Sequence, residues 1–267
     1  MIRLLQQIKR GLLAFIHPKK EIEAAKAYDL WASTYDEQEN NLIVYLDEIV
    51  FDEMISGINF KDKIVVDVGC GTGKHWKKMF EKKPQEVIGF EVSAEMLKKL
   101  HGKYPGTKAW LVHDEQLKQC GDESCDIIVS TLVIGYVENL FKVFTEWNRV
   151  LKKNGEIFFT DFHPEALQKG GSRSFKFNGQ ILYIKNYIHS LAEIVVLAQK
   201  MNWEQVNFVE KRVDASIRHF YEKYSSLEAY DRSFNTPILY GCHFRKGDHP
   251  LYVDGQKTDS KQMLLTK

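Results

Sequence analysis

The run Ile64-Val65-Val66-Asp67-Val68-Gly69-Cys70-Gly71-Thr72-Gly73 joins a mostly apolar segment to a turn with three glycines, and Val87-Ile88-Gly89-Phe90-Glu91 follows after a segment of helical composition. Ile64 to Val68 suits a strand buried on both faces, which in a parallel sheet reads as a near-continuous apolar run. The glycines predict a turn that needs φ > 0 and close backbone approach, and the chain then enters a helix. Glu91 closes the second strand. In a βαβ unit the acidic residue ending strand two lies beside the mouth of the first turn, where its oxygens can accept both hydroxyls of a ribose. These residues predict a nucleoside pocket.

A dinucleotide fingerprint requires Gly-x-Gly-x-x-Gly, but Lys74 stands three positions after Gly71 and the third glycine, Gly73, falls one residue early. With Asp67 just ahead of it, the pattern resembles the first motif of the class I S-adenosylmethionine-dependent methyltransferases, of the small-molecule type. The resemblance implies that the turn approaches the methionyl and ribosyl parts of S-adenosylmethionine, with Asp67, Gly69, Cys70, Gly71, Gly73, Glu91, Val92 and Met96 on the cofactor side. Leu111 to Glu115 resembles the end of the third strand, where the family sets an acidic side chain near the adenine amino group; Asp114 is the closer match and Glu115 its neighbour. Cys125 to Thr131 resembles the fourth strand, with Thr131 below the transferred methyl. The likeness covers roughly residues 25 to 246 and is most specific from 64 to 161.

Tyr28-Asp29-Leu30-Trp31-Ala32-Ser33-Thr34-Tyr35-Asp36 is similar to a Tyr-Asp-x-x-Ala-x-x-Tyr-Asp signature that forms a lid over the cofactor in many small-molecule members. A tyrosine oxygen and ring face suit a sulfonium and its polarised methyl hydrogens. Inward packing is the alternative for Tyr28, Trp31 and Tyr35, which recur at helical intervals.

Alternating strands and helices imply an α/β fold with a parallel sheet covered on both faces. The resemblance sharpens this to a doubly wound, seven-stranded, mostly parallel Rossmann-like methyltransferase sheet with an antiparallel last strand. A helical lid is expected over 21–58 and a core over 59–246, with acceptor-side insertions at 162–190 and 213–236, the latter between the last two strands. Residues 138–153 read as an amphipathic helix stopped by Asn154-Gly155, and 156–161 as the fifth strand. The stretch after it, rich in Gly, Ser and Lys, reads as a loop, and 187–202 as a helix.

Lys and Arg total 37 against 36 Asp and Glu, so the chain has no overall field to hold nucleic acid. Cys70, Cys120, Cys125 and Cys242 show no paired metal spacing and no disulfide framework, which fits a reducing cytoplasm. Residues 1–20 carry five Lys and Arg and no acidic side chains, with Leu5, Ile8, Leu12 and Phe15 or Ile16 on one helical face. This basic amphipathic helix packs on its own domain or a second subunit, making a homodimer, or touches an anionic membrane surface. Residues 247–267 read as a tail.

Methyl transfer from a sulfonium is an in-line displacement, so positioning contributes up to about 7–11 kcal/mol and a base is needed only for a protonated nucleophile. His163, with Asp161 to orient it, is a candidate base; the alternative is a polar turn residue before proline. Tyr136 is a candidate acceptor contact or a packing residue. Arg173 reads as a solvated loop arginine or as a clamp for an acceptor carboxylate or phosphate. The aromatic carboxyl-terminal part suits a flat or lipophilic small-molecule acceptor, and no metal site is expected. The expected activity is S-adenosylmethionine-dependent methylation at oxygen. Nitrogen or carbon methylation, or a non-catalytic binding module, are the alternatives.

Overall fold

A computed structural model describes residues 21–37 and 41–248. The helix expected over 1–20 and nearly all of the tail lie outside the described residues. In chain order the elements are β1 (Glu21–Ile22), α1 (Ala24–Trp31), α2 (Leu42–Ile55), β2 (Ile64–Val68), α3 (Trp76–Glu81), β3 (Glu86–Glu91), α4 (Ala94–Lys103), β4 (Lys108–Leu111) and β5 (Cys125–Thr131). There follow α5 (Leu140–Val150), β6 (Leu151–Phe162), α6 (Pro164–Gln168), β7 (Ser174–Phe177), β8 (Gln180–Ile184), α7 (Leu191–Lys200), β9 (Trp203–Arg212), α8 (Arg218–Lys223), α9 (Leu227–Ser233) and β10 (Pro237–Lys246).

Seven strands form one sheet in the order β4-β3-β2-β5-β6-β10-β9, parallel except that β10 runs antiparallel to both β6 and β9. The chain builds outward from β2 in one direction and from β5 in the other, so the strand order reverses between β2 and β5. An open α/β sheet leaves its ligand crevice at such a point, beyond the carboxyl ends of the strands.

Strand period two sorts the core into two layers. Val65, Ile127, Phe158 and Leu239 face α2 and α3 and pack on Val50, Phe51, Trp76 and Met79. Their chain neighbours Val66, Ile128, Phe159 and Tyr240 face the other way, onto Phe144 and Trp147 of α5 and Ile194 and Leu197 of α7. Each such side chain contributes about 1.5–3 kcal/mol by leaving water. Caps set the helix starts: Asn41 accepts from the Ile43 and Val44 amides, Asn139 from that of Lys142, and Ser190 from that of Glu193.

Three local expectations are corrected. The helix read over 138–153 ends at Val150, because its last carbonyls, Arg149 and Val150, accept the Glu123 and Ser124 amides and deliver the chain into the sheet. Asn154, at φ 58°, makes a bulge inside β6 instead of a helix stop. The stretch after β6 is not simply a loop: β7 and β8 form a hairpin across Asn178-Gly179, both at positive φ, as a tight two-residue turn requires. β1 joins β8 to make a small three-stranded sheet, so 21–58 is not wholly helical. Ala27, Phe175 and Ile184 form its core, and Trp31 stacks on Phe175 at 4.8 Å. Among the described residues no helix is long and apolar enough to cross a membrane.

Candidate functional site

A cavity of about 410 Å³ opens at the carboxyl ends of β2, β3 and β5, where the strand order reverses. Its floor is the glycine turn. Gly69, at φ 74°, passes so close to Val133 that a Cβ would sit 2.2 Å from Val133 Cγ2. Gly71, at φ 53°, turns its N–H onto Glu91 Oε2 at 2.9 Å, and the Ser93 N–H donates to Glu91 Oε1 at 2.9 Å. Burial pushes the Glu91 carboxyl above its ordinary range, against the pull of the Ser93 and Gly71 amides. Each oxygen is thus fixed by one backbone donor and retains acceptor capacity for a second, so the carboxylate can receive two adjacent sugar hydroxyls.

The cavity is lined by ten of the residues singled out in the sequence: Tyr28, Tyr35, Gly69, Gly71, Glu91, Val92, Asp114, Glu115, Thr131 and Tyr136. Asp67, Cys70, Gly73 and Met96 lie behind the lining. Asp67 is buried and accepts the Trp76 indole N–H at 2.7 Å; burial pushes it up to about 7, against that hydrogen bond and helped by Glu91. It braces the turn from beneath. Cys70 packs against Gly89, and Met96 sits under the first turn of α4. Asp114 is exposed, its carboxyl held low by the Gln116 amide and by Lys118.

The apolar part of the lining, including Phe90, Val112, Val133, Ile134 and Val137, was not singled out, and neither was Leu132. Leu132 holds φ 60°, a conformation that leucine adopts only when its surroundings impose it, and such strain gathers at working sites. Nothing in its one-letter code signals this.

The amino-terminal signature divides its residues between packing and lining. Trp31 packs on the hairpin through Phe175, whereas Tyr28 and Tyr35 face the cavity. The Tyr28 and Tyr136 hydroxyls meet at 2.9 Å, and burial pushes both Tyr28 and Tyr35 well above the usual phenol range, so both are neutral. Two carboxylates fasten this segment. Asp29 accepts from Ser93 Oγ at 2.6 Å and from the Glu95 N–H at 3.2 Å, and Asp36 accepts from Thr72 Oγ1 at 2.6 Å and Lys103 Nζ at 3.1 Å.

Behind Tyr28, Tyr35, Leu132 and Tyr136 lies a second cavity of about 130 Å³, for which these four residues form a shared wall with the first. Arg173 lines it. The guanidinium is buried and ion-paired with Asp161, with the Tyr136 ring on one side at 4.7 Å and the Phe162 ring at 4.3 Å. Arg173 is therefore not a solvated loop residue. Asp161 does not orient His163 either: its carboxylate is taken by Arg173 and by the Gly135 and Phe162 amides, each at 2.6 Å. His163 lies outside both cavities. Its Nδ1 accepts the Glu165 N–H at 3.2 Å as the cap of α6, and its Nε2 lies 3.1 Å from Glu210 without hydrogen-bonding geometry. Among the described residues no group of three or more His, Cys, Asp and Glu is arranged to hold a metal ion.

Fold and crevice define a doubly wound α/β domain with a nucleoside-sized pocket at its reversal point. Residues 66–159 match the protein family described as "Methyltransferase domain". That matched segment holds the glycine turn and its acidic strand end, and makes this part of the chain similar to the S-adenosylmethionine-dependent methyltransferases. Over 111 residues it is 30% identical to the malonyl-[acyl-carrier protein] O-methyltransferase of Hamiltonella defensa, covering 42% of this chain and 42% of that one. Several of the curated relatives are matched in the same way, over less than half of their own length. Among solved structures, an S-adenosylmethionine dependent methyltransferase from Mesorhizobium loti superposes with a TM-score of 0.54 at 16% identity, covering 70% of this chain and 93% of that one. The geranyl diphosphate C-methyltransferase of Streptomyces coelicolor A3(2), solved with Mg2+, geranyl diphosphate and S-adenosyl-L-homocysteine, does so with 0.59 at 14%, covering 86% and 91%. These two likenesses concern the fold.

Proposed function

We propose that this protein transfers a methyl group from S-adenosylmethionine to an oxygen of a small-molecule acceptor. The observation that carries the reading is the shared wall: a nucleoside-sized cavity with a fixed carboxylate meets a second, smaller cavity across Tyr28, Tyr35, Leu132 and Tyr136. Bound there, the donor supplies an electrophilic methyl on a sulfonium. Glu91 takes the ribose diol, the glycine turn lies under the aminoacyl part, and Asp114 with Glu115 stands at the adenine end.

The tyrosines at the wall act by position. Neutral phenol oxygens and ring faces favour a cation without competing for the methyl group. They also exclude water from the point where the two cavities meet, which strengthens every electrostatic contact there. Oxygen is favoured over carbon because a carbon acid needs a base, and His163 and Asp161 are both engaged away from the wall. The malonyl-[acyl-carrier protein] O-methyltransferase relative agrees with this preference. The test is calorimetric titration with S-adenosylmethionine and S-adenosylhomocysteine, followed by a mass-spectrometric search for acceptors that gain about 14 Da, the difference of one CH2. Failure to bind either nucleoside removes the proposal.

A further inference from the structure

The geometry points to a carboxylate as the acceptor group, held in the smaller cavity by Arg173 Nε and methylated as the free anion; this rests on the methyl-transfer reading above. Both Nη atoms of Arg173 have a partner and Nε has none. Its guanidinium carbon lies 4.7 Å from the Tyr136 ring and 4.3 Å from the Phe162 ring, one Nη binds Asp161, and the other reaches the Leu132 carbonyl at 3.4 Å. The remaining Nε–H is buried and meets no acceptor among the described residues. A buried donor left unmatched is costly, and a guanidinium donor is best matched by a charged oxygen. Asp161 already accepts from Arg173 and from the Gly135 and Phe162 amides, which hold its carboxylate on the Nη side of the guanidinium.

The shared wall restricts the nucleophile further. Its four residues are Tyr28, Tyr35, Tyr136 and Leu132, and none of them is a carboxylate, imidazole or amine. An alcohol would have to lose its proton, and among the described residues the shared wall offers no base to take it. A carboxylate arrives ionised at neutral pH. Its oxygen forms the new O–CH3 bond as the C–S bond breaks, the electron pair leaves on sulfur, and no proton changes hands. The products are a methyl ester and a neutral thioether. The smaller cavity is also lined by Trp31, Ile43, Val44 and Ile184, beside the polar Asn41, Ser172 and Ser174, and the apolar four fit a hydrocarbon body behind the carboxylate.

Binding and turnover test this separately. Wild-type protein saturated with S-adenosylhomocysteine is titrated calorimetrically with straight-chain and aromatic monocarboxylates and with the matched primary amides and alcohols, and the same panel is incubated with S-adenosylmethionine for mass spectrometry. The carboxylates bind and become methyl esters while amides and alcohols do neither. Arg173→Lys, which keeps the charge but loses the Nε edge, weakens carboxylate binding about tenfold or more. The pair Arg173→Met with Asp161→Asn, which leaves no buried charge uncompensated, abolishes it. Both variants retain wild-type affinity for S-adenosylhomocysteine, which reports an intact fold. Methylation of alcohols or amides, carboxylate binding untouched by Arg173→Lys, or no carboxylate binding at all overturns the assignment. Loss of nucleoside binding by the wild-type protein instead overturns the reading beneath it.

Discussion

The two cavities are built in opposite ways. The sugar-facing corner of the larger is made by one continuous piece of backbone, although the whole lining runs from Glu23 to Tyr187: β2, its glycine turn and the end of β3 place the Gly71 and Ser93 amides around Glu91 within 30 residues of chain. The smaller is made by side chains from α1, the start of α2, Leu132, Phe162 and the segment around Arg173, more than a hundred residues apart. Gripping a nucleoside needs a fixed backbone shape, so its specification is local. Choosing an acceptor needs shape and charge assembled from many segments, so that information is spread through the chain. α1 belongs to both, since Tyr28 lines each cavity.

The comparison breaks most sharply at Glu91. Glu91→Ala removes two charged acceptors for the sugar diol and releases the Gly71 and Ser93 amides, so affinity for S-adenosylhomocysteine falls at least about 100-fold. Calorimetry measures it, and an unchanged affinity would mean that the diol is held elsewhere. A smaller effect is expected at Asp29, which ties α1 to the cap of α4 and through Ser93 to Glu91. Asp29→Ala weakens the nucleoside about three- to tenfold, as befits the loss of two hydrogen bonds at a half-exposed site. Hydrogen exchange over residues 21–37 quickens at the same time. If exchange quickens while affinity stays, α1 serves the acceptor cavity alone.

How much of the molecule could be read in advance follows the same division. Ile64 to Gly73 and Glu91 announce their roles because apolar runs, glycine spacing and an acidic strand end are short-range signals. The β7–β8 hairpin was legible too: Asn178-Gly179 between Phe177 and Gln180-Ile181-Leu182 is a strong turn signal, obscured by the Gly, Ser and Lys content before it. Arg173 was legible only as one of two alternatives, a solvated loop residue or a clamp for an acceptor anion. A loop arginine becomes a buried ligand-facing group only because Asp161, 12 residues earlier, lies at the end of β6 with its carboxylate free to pair. His163 misled for the converse reason. Its position after a strand suggested chemistry, but Pro164 begins a helix and the imidazole caps it.

Asp67 offers the finest cut between bracing the turn and touching the ligand. In the unfolded chain its carboxyl ionises near the usual value of about 4, whereas in the folded protein burial keeps it protonated up to about 7. Between these limits the folded state binds the extra proton, so the contribution of this group to stability falls as pH rises and reaches its full cost above about 7. Asp47, under the same turn, runs the other way: burial is outweighed by His75, Lys74 and Thr160, which pull it down to about 2, so its contribution is lost only as pH falls from about 4. Asp67→Asn keeps an oxygen for the Trp76 indole and has nothing to ionise. Its Tm should therefore match that of the wild type near pH 4 and exceed it at pH 8 by at least about 2–4 °C. Nucleoside affinity stays close to the wild-type value, because Asp67 lies behind the lining. A Tm difference that is the same at both pH values would show that Asp67 is ionised in the fold, and a collapse of affinity would place it among the ligand contacts.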